Sequence, residues 1–184
     1  MVDVMGHLAM GLLWAAPAWF LWSRRVSLTF VGIAVVAAPL LDMDLWIEKL
    51  APALIHHHGI THTVVFVVAL SLAVGGIVAA TQRRPLDRWL WSERATTPGV
   101  VMFTVTAFMI GGFSHLFADI LSAPDIAQPL EPFWPVYPEP VIVDLIWYNS
   151  PLWNAGLLAV TVLLHLFLAL IVDPFDHQYR ITDV

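Results

Sequence analysis

Residues 60–80 read ITHTVVFVVALSLAVGGIVAA, with no Asp, Glu, Lys or Arg among them. At 1.5 Å per residue a helix of this length is about 30 Å long, which is the thickness of a bilayer's hydrocarbon core. The run does not alternate apolar with polar residues and is too long for a strand. Working outward, four more charge-poor stretches appear at Gly6–Trp22, Val26–Leu41, Gly99–Ala118 and Pro151–Val172. The first two lie at or just under the short end of the roughly 17–25 residues a span needs. The leader Met1-Val2-Asp3-Val4 carries an acid where a secretory signal has a basic region, so the first stretch also reads as a span. The expectation is an all-α, polytopic bundle of five transmembrane helices forming a single integral-membrane domain over residues 1–184.

Composition agrees. The chain is 59% hydrophobic and 12% charged, against roughly 45–50% and about 25% in soluble domains. So little polar surface cannot cover a water-soluble protein, and the implied solvent is lipid. The absence of cysteine excludes disulfides, thiolate zinc sites, iron–sulfur clusters and Cys nucleophiles together. A net charge of −6 without a basic run excludes nucleic acid as a partner.

Orientation follows from the cations. Arg24, Arg25, Arg83, Arg84, Arg88, Arg94 and Arg180 fall on one side of the five spans, and Lys49 alone falls on the other. Basic residues favour cytoplasmic loops, so the N-terminus lies outside and the C-terminus in the cytoplasm of a multi-pass cell-membrane protein. Trp89 and Trp91 beside the arginines read as interfacial anchors. The outer segment Ala123–Pro151 holds prolines at 124, 129, 132, 135, 138, 140 and 151, which forbids a long helix. Trp134, Tyr137, Trp147 and Tyr148 suit it to headgroup depth, as a connector or as a lid where lipids enter.

The same topology gathers the chemistry. His7 opens the first helix, Asp42 and Asp44 end the second, His56, His57, His58 and His62 open the third, and His115 with Asp119 ends the fourth. All lie at the outer face, although the arginines alone set the orientation. Imidazole and carboxylate are the mixed ligands of zinc, manganese or iron in a thiol-free site. His115 and Asp119 are four apart, on one helical face, and His58 and His62 share that spacing. Asp42 and Asp44 suit an extended or turn-like exit. Carboxylates gathered with Lys49 as the one neighbouring cation repel one another, and a divalent ion resolves this. Each element alone has a structural reading: a helix-end His7, a solvated Asp42 and Asp44, a hydrogen-bonded His115–Asp119 pair. At most two of His56–His58 can face inward. His165, deep in the fifth helix, reads as structural, and Asp173, Asp176 and His177 as a solvated tail.

These residues resemble a known family. His7, Asp42-Met-Asp44, His57-His-Gly-Ile-Thr-His62-Thr63 and His115-x-x-x-Asp119, followed by Phe133-Trp134-Pro135, are similar to the motifs of the YdjM-like family of membrane-bound predicted metal-dependent hydrolases. The resemblance implies His7, Asp42, Asp44, His57, His62, His115 and Asp119 as ligand and catalytic groups; of these Asp44 reads as the general base and the other six as metal ligands, with His58 a further catalytic candidate. His58 stands where the family usually has Arg, Thr63 replaces Ser, and Leu41 precedes Asp42 where proline is common. The implied activity is hydrolysis by water activated at zinc, or at manganese or iron, and a site at headgroup depth among membrane lipids points to a lipid-linked ester or phosphoester as substrate. Seven candidate groups exceed what one tetrahedral zinc needs, which leaves room for two ions. The competing class is a non-catalytic metal-binding or transport protein, although transporter sites tend to the midplane. A haem protein would leave the carboxylates without a role. No His-Glu-x-x-His or Gly-x-Ser-x-Gly occurs.

The arginine split sets the first test. Single cysteines introduced near Asp125 and near Arg84 are expected to react with an impermeant maleimide from outside and inside, respectively. The reverse labelling would invert the topology.

Overall fold

A computed structural model describes residues 3–51, 56–90, 96–122 and 125–173, with the backbone alone described over 83–90. Arg94, Trp91, Asp176, His177 and Arg180 lie outside these. The described residues are helical, with no strand and a single antiparallel bridge between Leu130 and Val141. Five helical segments are long and apolar enough to cross a membrane: Val4–Leu21, Arg24–Leu50, Val64–Gln82, Thr97–Ser122 and Leu152–Ile171.

Proline and polar caps explain where each helix starts and breaks. Helix α1 (Val4–Ala15) begins at Asp3, whose Oδ1 accepts the Val4 amide at 2.7 Å. Pro17 has no N–H, so the first span breaks and resumes as α2 (Ala18–Leu21). Around the break the Ala16 amide turns to the Leu13 carbonyl, and the Leu12 carbonyl takes a hydrogen bond from His165 Nε2 at 2.9 Å instead. His165 Nδ1 in turn accepts from Trp19 Nε1 at 2.7 Å. Both ring nitrogens of this buried histidine are thus satisfied, and they tie the kink to the last helix.

The second span is longer than its apolar stretch. Helix α3 (Arg24–Ala37) tightens at Pro39 into a 3₁₀ segment, Ala38–Met43, and continues as α4 (Asp44–Leu50). Asp42 and Asp44 are therefore not at an extended exit. They sit on a tightened turn inside the span, because Pro39 breaks the α-helical ladder. The third helix, α5 (Val64–Leu90), starts four residues later than hydrophobicity suggests. Gly59 and a 3₁₀ turn at Ile60–His62 precede it, and Thr63 Oγ1 caps it by accepting the Phe66 amide at 3.1 Å. Its far end carries Arg83, Arg84 and Arg88, so these arginines extend the helix rather than occupy a loop. Helix α6 (Thr97–Ser122) is the fourth span, and α7 (Leu157–Ile171) follows a short π turn at Leu152–Gly156.

Helix α6 is the axis of the bundle and packs against α1, α3 and α5. Over half of its most apolar window is buried (56%), against 22% for the third and fifth spans, which turn side chains such as Leu72, Ile77, Leu163 and Leu170 outward. Lipid is as apolar as leucine, so helices associate there through close packing of small residues. Gly111 meets α3 where the helix tightens: a Cβ there would lie 2.2 Å from the Ala34 carbonyl and 2.7 Å from Ala37 Cβ. On the neighbouring side Gly112 faces Val67 of α5, 2.7 Å from where its Cβ would be.

The outer segment after α6 is held by backbone. The Leu145 and Ile146 amides donate to the Leu121 carbonyl at 2.7 and 2.9 Å, and Val64 N donates to the Pro132 carbonyl at 2.8 Å. Asp125 Oδ2 accepts the Tyr148 amide at 2.7 Å, and Leu130 is fully buried. The loop is therefore docked over the N-terminal end of α5 and the C-terminal end of α6.

Gly111→Val is expected to lower the melting temperature in detergent, since overpacking costs about 1–3 kcal/mol. Gly76→Val, where a Cβ meets nothing within 4 Å, should leave it unchanged. Equal melting of the two variants would mean that Gly111 does not set the helix spacing.

Candidate metal centre

The fold brings every candidate ligand together. His7 comes from α1, Asp42 from the 3₁₀ segment, Asp44 from the start of α4, His57 and His58 from the following loop, His62 from its 3₁₀ turn, and His115 and Asp119 from α6. His7, Asp44, His62, His115 and Asp119 are wholly buried, and Asp42 and His58 nearly so. His58 and His62 do not share a helical face, because α5 begins after them; their rings still meet, with centroids 4.8 Å apart. Of the His56–His58 run, His57 and His58 turn to the cluster. His56 stays exposed, its Nδ1 3.3 Å from the His57 carbonyl.

Four donor atoms converge at the centre. His62 Nε2 and His115 Nε2 are 3.0 Å apart. Asp42 Oδ1 lies 3.6 Å from each, and Asp119 Oδ2 lies 3.6 Å from His62 and 2.9 Å from His115. These five separations average about 3.3 Å. Ligands on a tetrahedral ion at 2.0–2.1 Å would be separated by about 3.3–3.4 Å. Five of the six separations among these four atoms therefore lie near the ligand spacing of a first-row metal.

Unmet hydrogen-bonding capacity supports the same fit. His7 Nδ1 and Nε2, Asp42 Oδ1, His58 Nε2 and His115 Nδ1 are buried with no hydrogen-bond partner. Each such group costs about 1–3 kcal/mol if left so, and the ones turned inward are those a cation would satisfy. Asp42, Asp44 and Asp119 also bring three carboxylates into this space. Lys49 lies elsewhere, its Nζ 5.0 Å from the centre of the Trp46 ring.

The surrounding bonds orient the imidazoles. Asp44 Oδ1 takes His57 Nδ1–H at 2.9 Å, and its Oδ2 takes His62 Nδ1–H at 3.1 Å and the Thr61 hydroxyl at 2.6 Å. A carboxylate that holds Nδ1 fixes the tautomer and leaves Nε2 as a lone pair toward the ion. Thr61 was not among the sequence candidates, although it stands inside the Gly-Ile-Thr-His motif. His58 is held by a group that no motif reveals, since its Nδ1–H donates to the Gln128 main-chain carbonyl. Its Nε2 then points inward, 3.8 Å from Asp119 Oδ2. Burial pushes the His58 imidazole down to about 3, so it stays neutral at physiological pH. His58 adopts a left-handed backbone (φ 62°), a costly conformation that clusters at functional sites. Gly59 follows because a Cβ there would lie 2.8 Å from the His56 carbonyl. Asp173 is exposed and distant in sequence from this group.

His62→Ala, His115→Ala and Asp119→Ala are each expected to lose most bound metal in elemental analysis of detergent-purified protein, while Asp173→Ala and His177→Ala keep it. Wild-type metal content in the first three would make the cluster structural.

No curated protein and no solved structure matches the chain. A family model does, over residues 1–178, and it is described as the YdjM inner membrane protein. With its five apolar spans and its buried His/Asp cluster, the chain is a membrane protein and belongs to the YdjM inner membrane protein family.

Proposed function

We propose that this protein is a metal-dependent hydrolase that cleaves an ester or phosphoester, lipid-linked, at the extracytoplasmic face of the membrane. The observation that carries the reading is the convergence of His62 Nε2, His115 Nε2, Asp42 Oδ1 and Asp119 Oδ2 at ligand spacing. A mixed nitrogen–oxygen donor set favours zinc, with manganese or iron as alternatives. When bound, such an ion stabilises charge developing on a carbonyl or phosphoryl oxygen and lowers the pKa of water from about 15.7 to about 7.

The residues around it take the remaining roles. Asp44 is the carboxylate that takes up the proton released from water. His57, whose Nδ1–H donates to it at 2.9 Å on the more accessible side of the cluster, holds that carboxylate in place. His58 remains neutral, so its inward Nε2 accepts a hydrogen bond from water. It also lines a cleft of about 410 Å³, together with His56, Thr63, Gln128, Glu131 and Trp134, which gives a substrate a route to the cluster. Trp134, Tyr137 and Trp147 are exposed on the docked outer loop, at the level where lipid headgroups would lie. This supports a substrate presented by the membrane itself.

One observation favours a second reading. Four protein donors around one ion make a closed set, and closed tetrahedral sets are typical of structural zinc. A non-catalytic metal-binding protein is therefore the alternative.

The assay offers lipid phosphoesters and carboxylic esters in mixed micelles to metal-loaded protein. Asp44→Asn is expected to keep metal and lose turnover by a factor of about 10²–10⁴, the usual contribution of a general base. Asp42→Asn should lose metal as well. No turnover of any ester class by the loaded wild type would favour the non-catalytic reading.

A further inference from the structure

The two central carboxylates face two ways. Asp42 turns Oδ1 to the His62 and His115 nitrogens and Oδ2 to His7 Nε2, at 3.5 Å. Asp119 does the same: Oδ2 meets His62 and His115, and Oδ1 lies 3.4 Å from His7 Nε2. His7 makes no hydrogen bond with either nitrogen, although it is completely buried and its ring stacks on His115 at 3.8 Å. A buried histidine that makes no hydrogen bond carries a desolvation cost, and the charged groups described against its Nε2 are these two carboxylate oxygens.

We infer that the centre is dinuclear, with Asp42 and Asp119 each bridging two divalent cations. The first ion takes His62, His115 and one oxygen from each carboxylate, and the second takes His7 and the other two oxygens. The His7 contacts of 3.4 and 3.5 Å are again close to the edge of a tetrahedral set. The second site has three protein donors where the first has four. It would therefore keep an open coordination position. This assignment rests on the metal-site reading above and explains how a closed tetrahedral set can belong to a hydrolase.

The test uses the full chain purified in detergent, stripped with chelator and reloaded with Mn²⁺. Elemental analysis is expected to find two ions per chain, and electron paramagnetic resonance to show a spin-coupled pair. His7→Gln, which keeps a polar side chain of similar reach, should leave one uncoupled ion. His115→Ala should lose both, since it removes a ligand from the site that anchors the bridges. A wild type that binds one ion, a His7→Gln variant that still shows the coupled pair, or loss of both ions from His7→Gln would each overturn the assignment. A coupled pair in a protein that turns over no ester would keep the dinuclear centre and remove only the hydrolase reading.

Discussion

Three carboxylates enclosed at the end of an apolar bundle are the constraint on which the rest of this structure turns. An isolated buried carboxylate is too costly to keep ionised, and three of them cannot neutralise one another. The protein meets them with histidines. His7, His57, His58, His62 and His115 supply every ion-pair contact described for Asp42, Asp44 and Asp119. Imidazole nitrogens and carboxylate oxygens are also the donors that a divalent cation takes, so the cluster has the composition of a metal site.

Helix packing gives that constraint its geometry. Glycine at position 111 lets α6 approach the α3 backbone where Pro39 tightens the helix, and so places Asp42 opposite His115 and Asp119. A regular α-helix through residues 38–43 would rotate Asp42 and Asp44 by different amounts, because a 3₁₀ turn advances fewer residues per revolution. Pro17, Pro39 and Gly111 thus act on the same problem from different helices. Pro17 and Pro39 interrupt regular structure within an apolar environment, where each break must find new hydrogen-bond partners, while Gly111 sets the helix spacing. The His165–Leu12 bond is one such repair.

Much of this was legible in the sequence. Uninterrupted apolar runs are long-range signals, so all five spans could be read, and the common face of His7, Asp42, His62, His115 and Asp119 followed from counting helices. Local backbone was less legible. The apolar run from Ile60 hides a 3₁₀ turn, because hydrophobicity does not distinguish helix from turn and only Gly59 and Thr63 mark the true start. The second span was drawn too short, since Asp42 and Asp44 look like an end when charge alone defines the boundary. Groups that orient the ligands were the least visible. Thr61 is one hydroxyl among many, and the Gln128 carbonyl belongs to the main chain, which carries no side-chain signature. The partition of the two Asp42 oxygens between different histidines also exists only in three dimensions.

The centre draws its ligands from chain positions as far apart as His7 and Asp119, on the first and fourth spans. A ribosome delivers these spans to the membrane one after another, and α6 is nearly the last to arrive. Until it does, His7, Asp42 and His62 have neither His115 nor Asp119 to complete the donor set. A metal that needs the full donor set could therefore bind only after the fourth span has joined the bundle, so assembly of the site is tied to the order in which the spans are inserted.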